Sequence, residues 1–407
     1  MKKNINFSII LILILIILLF IFIFFRNYQS SNEDIDLKVY NIPNMNNRII
    51  NHTIINKNEN NPNKFKYYRC ETKLLGTIIN DIFNLNNISR SNTDWNIYIP
   101  CGYNDVEEEL KSIIIKGNKS DKYIFGLNGC DSIVSKNKIW ESLVNCYGRK
   151  EASKLMPESY ILNDVNEMTI FKKKFNRFSN EIYILKKNLQ RKEGLKLTKN
   201  YFEIISANSD NYKVAQKYIT DLYLINERKV NLRIYLFVVI KNDIIYFYLC
   251  KIGKCIYTNK KYNHNDLDFE SNITSYNLDM SIYKENPRHF NELKRYLDEN
   301  GDNGTKLFLN IEQLMNKVSI CLSNNLYQSN NIRGSISFQL FGTDVIFDKN
   351  LHPYLLEINK GPDMIPRDED DRYMKNMVQT DMLKILNIVK NNNYNNTFYL
   401  IYKKKIV

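Results

Sequence analysis

The chain has 407 residues, enough for two or three domains, and its 44% hydrophobic and 13% aromatic content excludes a wholly disordered or fibrous protein. A formal net charge of +13 favours anionic partners such as nucleotides, acidic peptides or anionic lipid, although Lys, Asn, Ile and Tyr are abundant together and part of the excess is compositional. The seven cysteines have no CxxC spacing, which argues against a zinc site, and the four histidines supply no nucleophile and base set.

The first element is Phe7–Phe25, FSIILILILIILLFIFIFF, a 19-residue run without charge that nearly spans a bilayer core as a helix. It predicts a cytoplasmic tail and a single transmembrane anchor over residues 1–26, and so a single-pass membrane protein with a membrane partner. Lys2 and Lys3 before the run and Glu33, Asp34 and Asp36 after it weakly favour a lumenal or external body. Residues 27–66, polar and Asn-rich, read as a linker. Residues 67–135 read as an N-terminal α/β subdomain: a helix near LLGTIINDIFNL, a strand WNIYIP, an acidic helix DVEEELKSII, then YIFGLNGCDSI. Two further segments, 136–225 and 226–407, complete a mixed α+β chain with much antiparallel sheet.

In the middle segment, EIYILKKNLQRKEGLKL reads as two strands joined by a basic loop. Lys186 and Lys187 on the strand, with Gln190, Arg191, Lys192 and Gly194 in the loop, could neutralise a triphosphate; an exposed basic hairpin explains the pattern equally. Gln216–Ile219, QKYI, fits either a hinge against a base edge or an ordinary amphipathic strand. In KVNLRIYLFVVI, period-2 alternation puts Lys229, Asn231 and Arg233 on one face and Val230, Leu232 and Ile234 on the other. YLCKIGKCIY suggests a tight turn at Ile252-Gly253, with Cys250 and Cys255 opposed as a disulfide or as two reduced, partly buried thiols.

The last motif is FQLFGTDVIFDKNLHPYLLEINKGP, Phe338–Pro362. Two strand-like runs flank Asp348-Lys349-Asn350, which is turn chemistry. Glu357 and Asn359 share a face with Leu355, and a turn centred near Asn350-Leu351 sets Asp344 opposite Glu357. Like charges in that position are destabilising unless a positive group lies between them, and carboxylate and amide oxygens so arranged suit Mg²⁺. A solvent-exposed polar face is the plainer alternative. RDEDDR, Arg367–Arg372, reads as a solvated charge run.

Taken in order, these motifs resemble the tubulin-tyrosine-ligase-like family of ATP-grasp enzymes from about Lys136 to Pro362. The resemblance rests most on Phe338, Leu340-Phe341-Gly342, Asp344, Pro353, Leu356, Glu357, Asn359 and Pro362. It implies an ATP-grasp fold with mixed and antiparallel sheets, 136–225 being its central subdomain and 226–407 the C-terminal subdomain with the metal site. It implies ATP and Mg²⁺ as cofactors, with Asp344, Glu357 and Asn359 as metal ligands. Lys136, Lys186, Gln216, Lys217, Lys229, Asn231 and Thr274 would bind ATP, and Arg233 and Glu357 would be catalytic. The implied reaction joins a free amino acid to an acidic protein or peptide acceptor, of which tubulin-like tails are the family's habitual examples, through an acyl phosphate. No nucleic acid partner is expected. Asn231 stands where the family usually has aspartate, and Ile256 about where a substrate-holding arginine is expected, for which Lys254 could substitute. The family's cytosolic chemistry conflicts with the charge flanks of the anchor. Two other readings stay open: a membrane-tethered, inactive ATP- or protein-binding member of the fold, and a type II membrane glycosyltransferase.

Overall fold

Two fourteen-residue strands, Arg228–Lys241 and Ile244–Tyr257, form the spine of the protein. Asn242 and Asp243, both at positive φ, make the tight turn whose twist matches the paired strands. The computed structural model describes residues 65–102, 106–113, 122–176, 180–189, 194–263, 267–274, 277–327, 330–332, 334–390 and 395–406. All of them lie in the unit Ile42–Val407; residues 1–41 lie outside the described residues.

Among the described residues the strands are β1 (Lys66–Tyr68), β2 (Ser89–Arg90), β3 (Ile97–Tyr98), β4 (Tyr123–Phe125), β5 (Ser159–Ile161), β6 (Tyr183–Lys186), β7 (Leu195–Thr198), β8 (Val214–Lys217), β9 (Leu224–Ile225), β10 (Arg228–Lys241), β11 (Ile244–Tyr257), β12 (Ile336–Phe347), β13 (Pro353–Asn359) and β14 (Phe398–Lys405). The large sheet runs β14-β11-β10-β12-β4-β3-β1-β2, with β13 paired to β12 and β9 to β10. Its long strands are antiparallel, whereas β12-β4-β3-β1-β2 is parallel, so the sheet is mixed. The smaller sheet, β5-β8-β6-β7, is antiparallel throughout. This is the expected mixed α+β class.

The helices that position the site are α1 (Thr77–Leu85), α2 (Lys136–Leu155), α3 (Gly304–Leu322) and α4 (Glu369–Ile385). Ile78, Ile79, Ile82 and Phe83 of α1 and Met374, Val378 and Met382 of α4 share one core with Tyr235, Phe237 and Val239 of β10. Helix α3 packs across β11, β13 and β14. The small sheet has its own core, in which Tyr183 and Leu185 join Tyr160, Phe171 and Ala215. The alternate residues Ile184 and Lys186 are thereby turned toward the cleft between the sheets.

Several expectations need correction. Among the described residues no helix is long and apolar enough to cross a membrane, which is contrary to the expected single-pass membrane placement and leaves the expected membrane partner without support. The two longest helices are broken by charge: α3 carries Lys306, Glu312 and Lys317, and α2 carries Lys138, Glu141, Arg149, Lys150 and Glu151. The run Phe7–Phe25 and the linker up to residue 64 lie outside the described residues, and Lys66, assigned to the linker, already belongs to β1 and pairs with Ser89 of β2. No turn occurs at Ile252-Gly253, because β11 passes straight through. Gly253 is a packing residue: a Cβ there would collide with the Arg233 carbonyl oxygen and the Phe290 ring. Cys250 and Cys255 are buried and free, while disulfides that the sequence did not suggest join Cys70 to Cys101 and Cys146 to Cys321. The RDEDDR run is only partly solvated. Asp368 caps α4 and pairs with Arg288 at 2.7 Å, and Asp371 is fully buried between Lys254 at 3.1 Å and Lys375 at 2.7 Å.

Candidate functional site

Strand β10 turns Lys229, Asn231 and Arg233 into a cleft of about 550 Å³, with Val230, Leu232 and Ile234 buried behind them, as the alternation predicts. Its neighbour β12 sets Asp344 directly beside Arg233. The guanidinium engages both carboxylate oxygens, Nε to Oδ1 at 2.6 Å and Nη2 to Oδ2 at 3.2 Å. Gly342 permits this close packing, since a Cβ there would lie 2.9 Å from Pro362 Cβ and 3.3 Å from Arg233 Cδ.

Across the next ladder Asp344 faces Glu357, and Gly342 faces Asn359. The expected pair forms, but by a different route. From Phe347↔Pro353 to Val345↔Leu355 the ladder is regular, and Leu356 is then an extra residue before Asp344↔Glu357. Without that bulge Asp344 would face Leu356. The bulge also changes the faces: Leu355 and Ile358 are both buried, while Leu356 joins Glu357 and Asn359 in lining the cleft.

Neither carboxylate lies on a solvated face, with 13% and 29% side-chain exposure for Asp344 and Glu357. Among the described residues no single cation pairs with both: Arg233 serves Asp344, and Lys136 Nζ lies 3.6 Å from Glu357 Oε2. Asn359 donates Nδ2 to Glu357 Oε1 at 3.1 Å. Burial pushes the Glu357 carboxyl up, but Lys136, Lys186, Asn359 and Arg233 outweigh it and hold the group down at about 2. Asp344 moves the other way, since burial and the Glu357 charge overcome Arg233 and raise it. The pair is thus split electrostatically, with Glu357 the more firmly ionised partner.

Three lysines line the cleft together with the carboxylates. Lys136, at the start of α2, donates to the Leu189 carbonyl at 2.8 Å. Lys186 donates to the Leu356 carbonyl at 3.4 Å, and burial pushes its ammonium down to about 8 against the pull of Glu357. Lys229 donates to the Asn272 carbonyl at 3.0 Å and lies 4.6 Å over the Tyr218 ring; burial, then Lys186, lowers it to about 7. Asn231 donates Nδ2 to Thr274 Oγ1 at 3.0 Å, whereas its buried Oδ1 has no partner.

Gln216 and Lys217 also line the cleft. The Gln216 amide donates to Ser159 Oγ at 2.9 Å and Lys217 pairs with Glu181, so both side chains are already engaged. Ile256 and Lys254 share the same wall, Lys254 being tied to Asp371. The structure therefore brings together in one cleft every residue to which the family resemblance gives a ligand or catalytic role, whereas Lys187 lies outside the lining, 4.8 Å over the Tyr212 ring. Gln190, Arg191 and Lys192 lie outside the described residues. Tyr218, Asn272 and Glu181 were missed; Tyr218 lies in QKYI and Asn272 two residues before Thr274, but neither stretch signals a contact to a lysine on another strand. Asp344, Glu357 and Asn359 offer the hard oxygen donors that a divalent ion such as Mg²⁺ prefers. A second close group, Glu107, Cys130 and Asp131, does not match that chemistry: Asp131 pairs with Lys360, and burial pushes the Cys130 thiol up to about 12.

A family model described as Tubulin-tyrosine ligase family matches residues 117–396. The chain is 24% identical over 285 residues to the "Probable beta-tubulin polyglutamylase" of Tetrahymena thermophila, covering 64% of this chain and 23% of that protein. It is 24% identical over 324 residues to mouse "Tubulin monoglutamylase TTLL4", covering 74% and 26%, and 23% identical over 306 residues to Caenorhabditis elegans "Probable tubulin polyglutamylase ttll-9", covering 70% and 67%. The chain thus spans about a quarter of the first two relatives and two thirds of the third.

Proposed function

The chain belongs to the tubulin-tyrosine ligase family, and from that premise we propose that it is an ATP-dependent carboxylate–amine ligase with an ATP-grasp fold, joining an amino acid to a carboxylate of an acidic protein acceptor. The observation that carries this reading is the Asp344–Glu357 cross-strand pair. Two carboxylates are held ionisable beside Asn359, each with its own cation, at the floor of a lysine-lined cleft. In this reading 136–225 is the central ATP-grasp subdomain, 226–407 carries the metal site, and 67–135 precedes both.

The residues fit the group the reading requires. Asp344, Glu357 and Asn359 would hold Mg²⁺, and Asn231 Oδ1, buried without a partner, is a further oxygen available to a ligand. Bound Mg²⁺ would supply positive charge to the phosphate oxygens. The chain's own cations would do the rest. Lys136, Lys186 and Lys229 would receive the phosphates, exchanging internal carbonyl contacts for anionic ones, and Arg233 would balance the charge that develops on the transferred group. Gln216, Lys217 and Thr274 complete the proposed nucleotide site.

In the reaction, an acceptor carboxylate oxygen attacks the γ-phosphorus and ADP leaves; the amino acid nitrogen then attacks the acyl carbon, loses a proton, and phosphate leaves. No side chain need act as a covalent nucleophile. The names of the relatives make tubulin-like tails and glutamate the first acceptor and amino acid to try. The test supplies ATP, Mg²⁺ and acidic acceptor peptides, with hydroxylamine as the trap. ADP and a hydroxamate should appear together, and both should be lost in Glu357→Gln. AMP and pyrophosphate would refute the mechanism. The second reading, an inactive ATP-binding member, is favoured by Asn231 and Ile256, and tight ATP binding without turnover on any carboxylate would select it.

A further inference from the structure

The cleft changes character toward its mouth. Among the described residues its lining holds nine basic side chains against three carboxylates, yet two aliphatic side chains stand in the open at its rim: Leu74, 87% exposed, and Ile365, 68% exposed. Single exposed aliphatics are ordinary on protein surfaces. These two come from segments nearly three hundred residues apart and both line this cleft.

Both are held on anchored backbone. Leu74 follows the turn closed by Lys73 N–H to the Cys70 carbonyl at 3.1 Å, with Cys70 cross-linked to Cys101 and Leu75 packed on the core. Ile365 donates its N–H to Asp363 Oδ1 at 3.0 Å, and its carbonyl accepts from Lys375 Nζ at 2.7 Å. The helices that follow the two segments, α1 and α4, pack together and are joined by Arg372–Asp81 at 3.5 Å. Two rigidly presented aliphatics at the entrance of a basic cleft suit an occupant with an apolar side chain close to a negative group.

We propose that Leu74 and Ile365 form an acceptor-docking lip that grips a branched aliphatic side chain next to the reacting carboxylate, so that this protein selects acidic peptides in which Leu, Ile or Val flanks the modified residue. This rests on the ligase reading for the identity of the occupant, and on the basic lining for its charge. A polyacid without an aliphatic neighbour would use the cations alone and leave the lip uncovered.

The test measures fluorescence anisotropy of two labelled peptides with the full chain in Mg²⁺ and ADP, where no turnover occurs. One peptide is octaglutamate; the other has one leucine inserted on each side of an internal glutamate of the same sequence, so that both carry the same eight side-chain carboxylates. The wild type should bind the leucine peptide about tenfold more tightly, the scale expected for burying aliphatic surface. The Leu74→Ala/Ile365→Ala double variant should lose that preference to less than about twofold, with octaglutamate affinity and melting temperature unchanged. Equal binding of the two peptides by the wild type, or a preference that survives in the double variant, overturns the proposal. The ligase reading fails separately, by absence of ADP and hydroxamate, and the anisotropy result does not depend on either product.

Discussion

Glu357→Gln tests the electrostatics of the site before any ligand is added. The carboxyl is held at about 2 against an ordinary 4.5, a difference that corresponds to about 3 kcal/mol of folding stability at neutral pH. Its 29% exposure and the screening that follows trim that figure. The gross attraction to Lys136 at 3.6 Å is about 5 kcal/mol at an effective dielectric of about 20. Removing the charge also relieves Asp344, which Glu357 pushes upward, so part of the loss is returned. The net expectation is a loss of about 1–3 kcal/mol at pH 7. Because the folded carboxyl lies below its unfolded value, the wild-type advantage is complete above about pH 4.5 and disappears as pH falls toward 2. Urea unfolding followed by circular dichroism at pH 7, 5 and 3 should show two stability curves that converge in acid. Equal stability at pH 7, or a gap of constant size down to pH 3, would refute the assignment of Glu357 as the charged centre of the cluster.

Burial holds Lys229 at about 7, far below an ordinary 10.5, so its charge opposes folding most strongly below pH 7 and progressively less up to pH 10. Lys229→Met should therefore raise apo stability by more than about 1 kcal/mol at pH 6, with a gain that shrinks as pH rises, while thermal protection by ATP falls; a variant less stable than wild type at pH 6 would contradict this. Gly253→Ala should lower stability by about 1–3 kcal/mol, because the added methyl meets a strand carbonyl and the Phe290 ring. A melting temperature unchanged in that variant would show that β11 does not run straight through this position.

Much of the site was legible because strand alternation is a local rule. KVNLRIYLFVVI had to present Lys229, Asn231 and Arg233 together, and Asp348-Lys349-Asn350 had to turn the chain, since each follows from a few consecutive side chains. The same locality explains the errors. A glycine between cysteines looks like a turn until Phe290 is seen packed against it, and the acidic run at Arg367–Arg372 looks solvated until Lys254 and Lys375 are found around Asp371. The disulfides Cys70–Cys101 and Cys146–Cys321 join residues that no spacing rule pairs.

By itself, then, the amino-acid order determined which residues of β10 share a face, where the hairpin turns, and which oxygen and cationic groups are available. Only the tertiary structure decided their electrostatic relations. The bulge at Leu356 sets the final register of Glu357 against Asp344. Lys136 arrives from a helix more than two hundred residues upstream, and Arg233 crosses over Gly342 to take both oxygens of Asp344. These outcomes depend on the distance between charges and on the water excluded around them, quantities that exist only once separate segments of the chain have packed together.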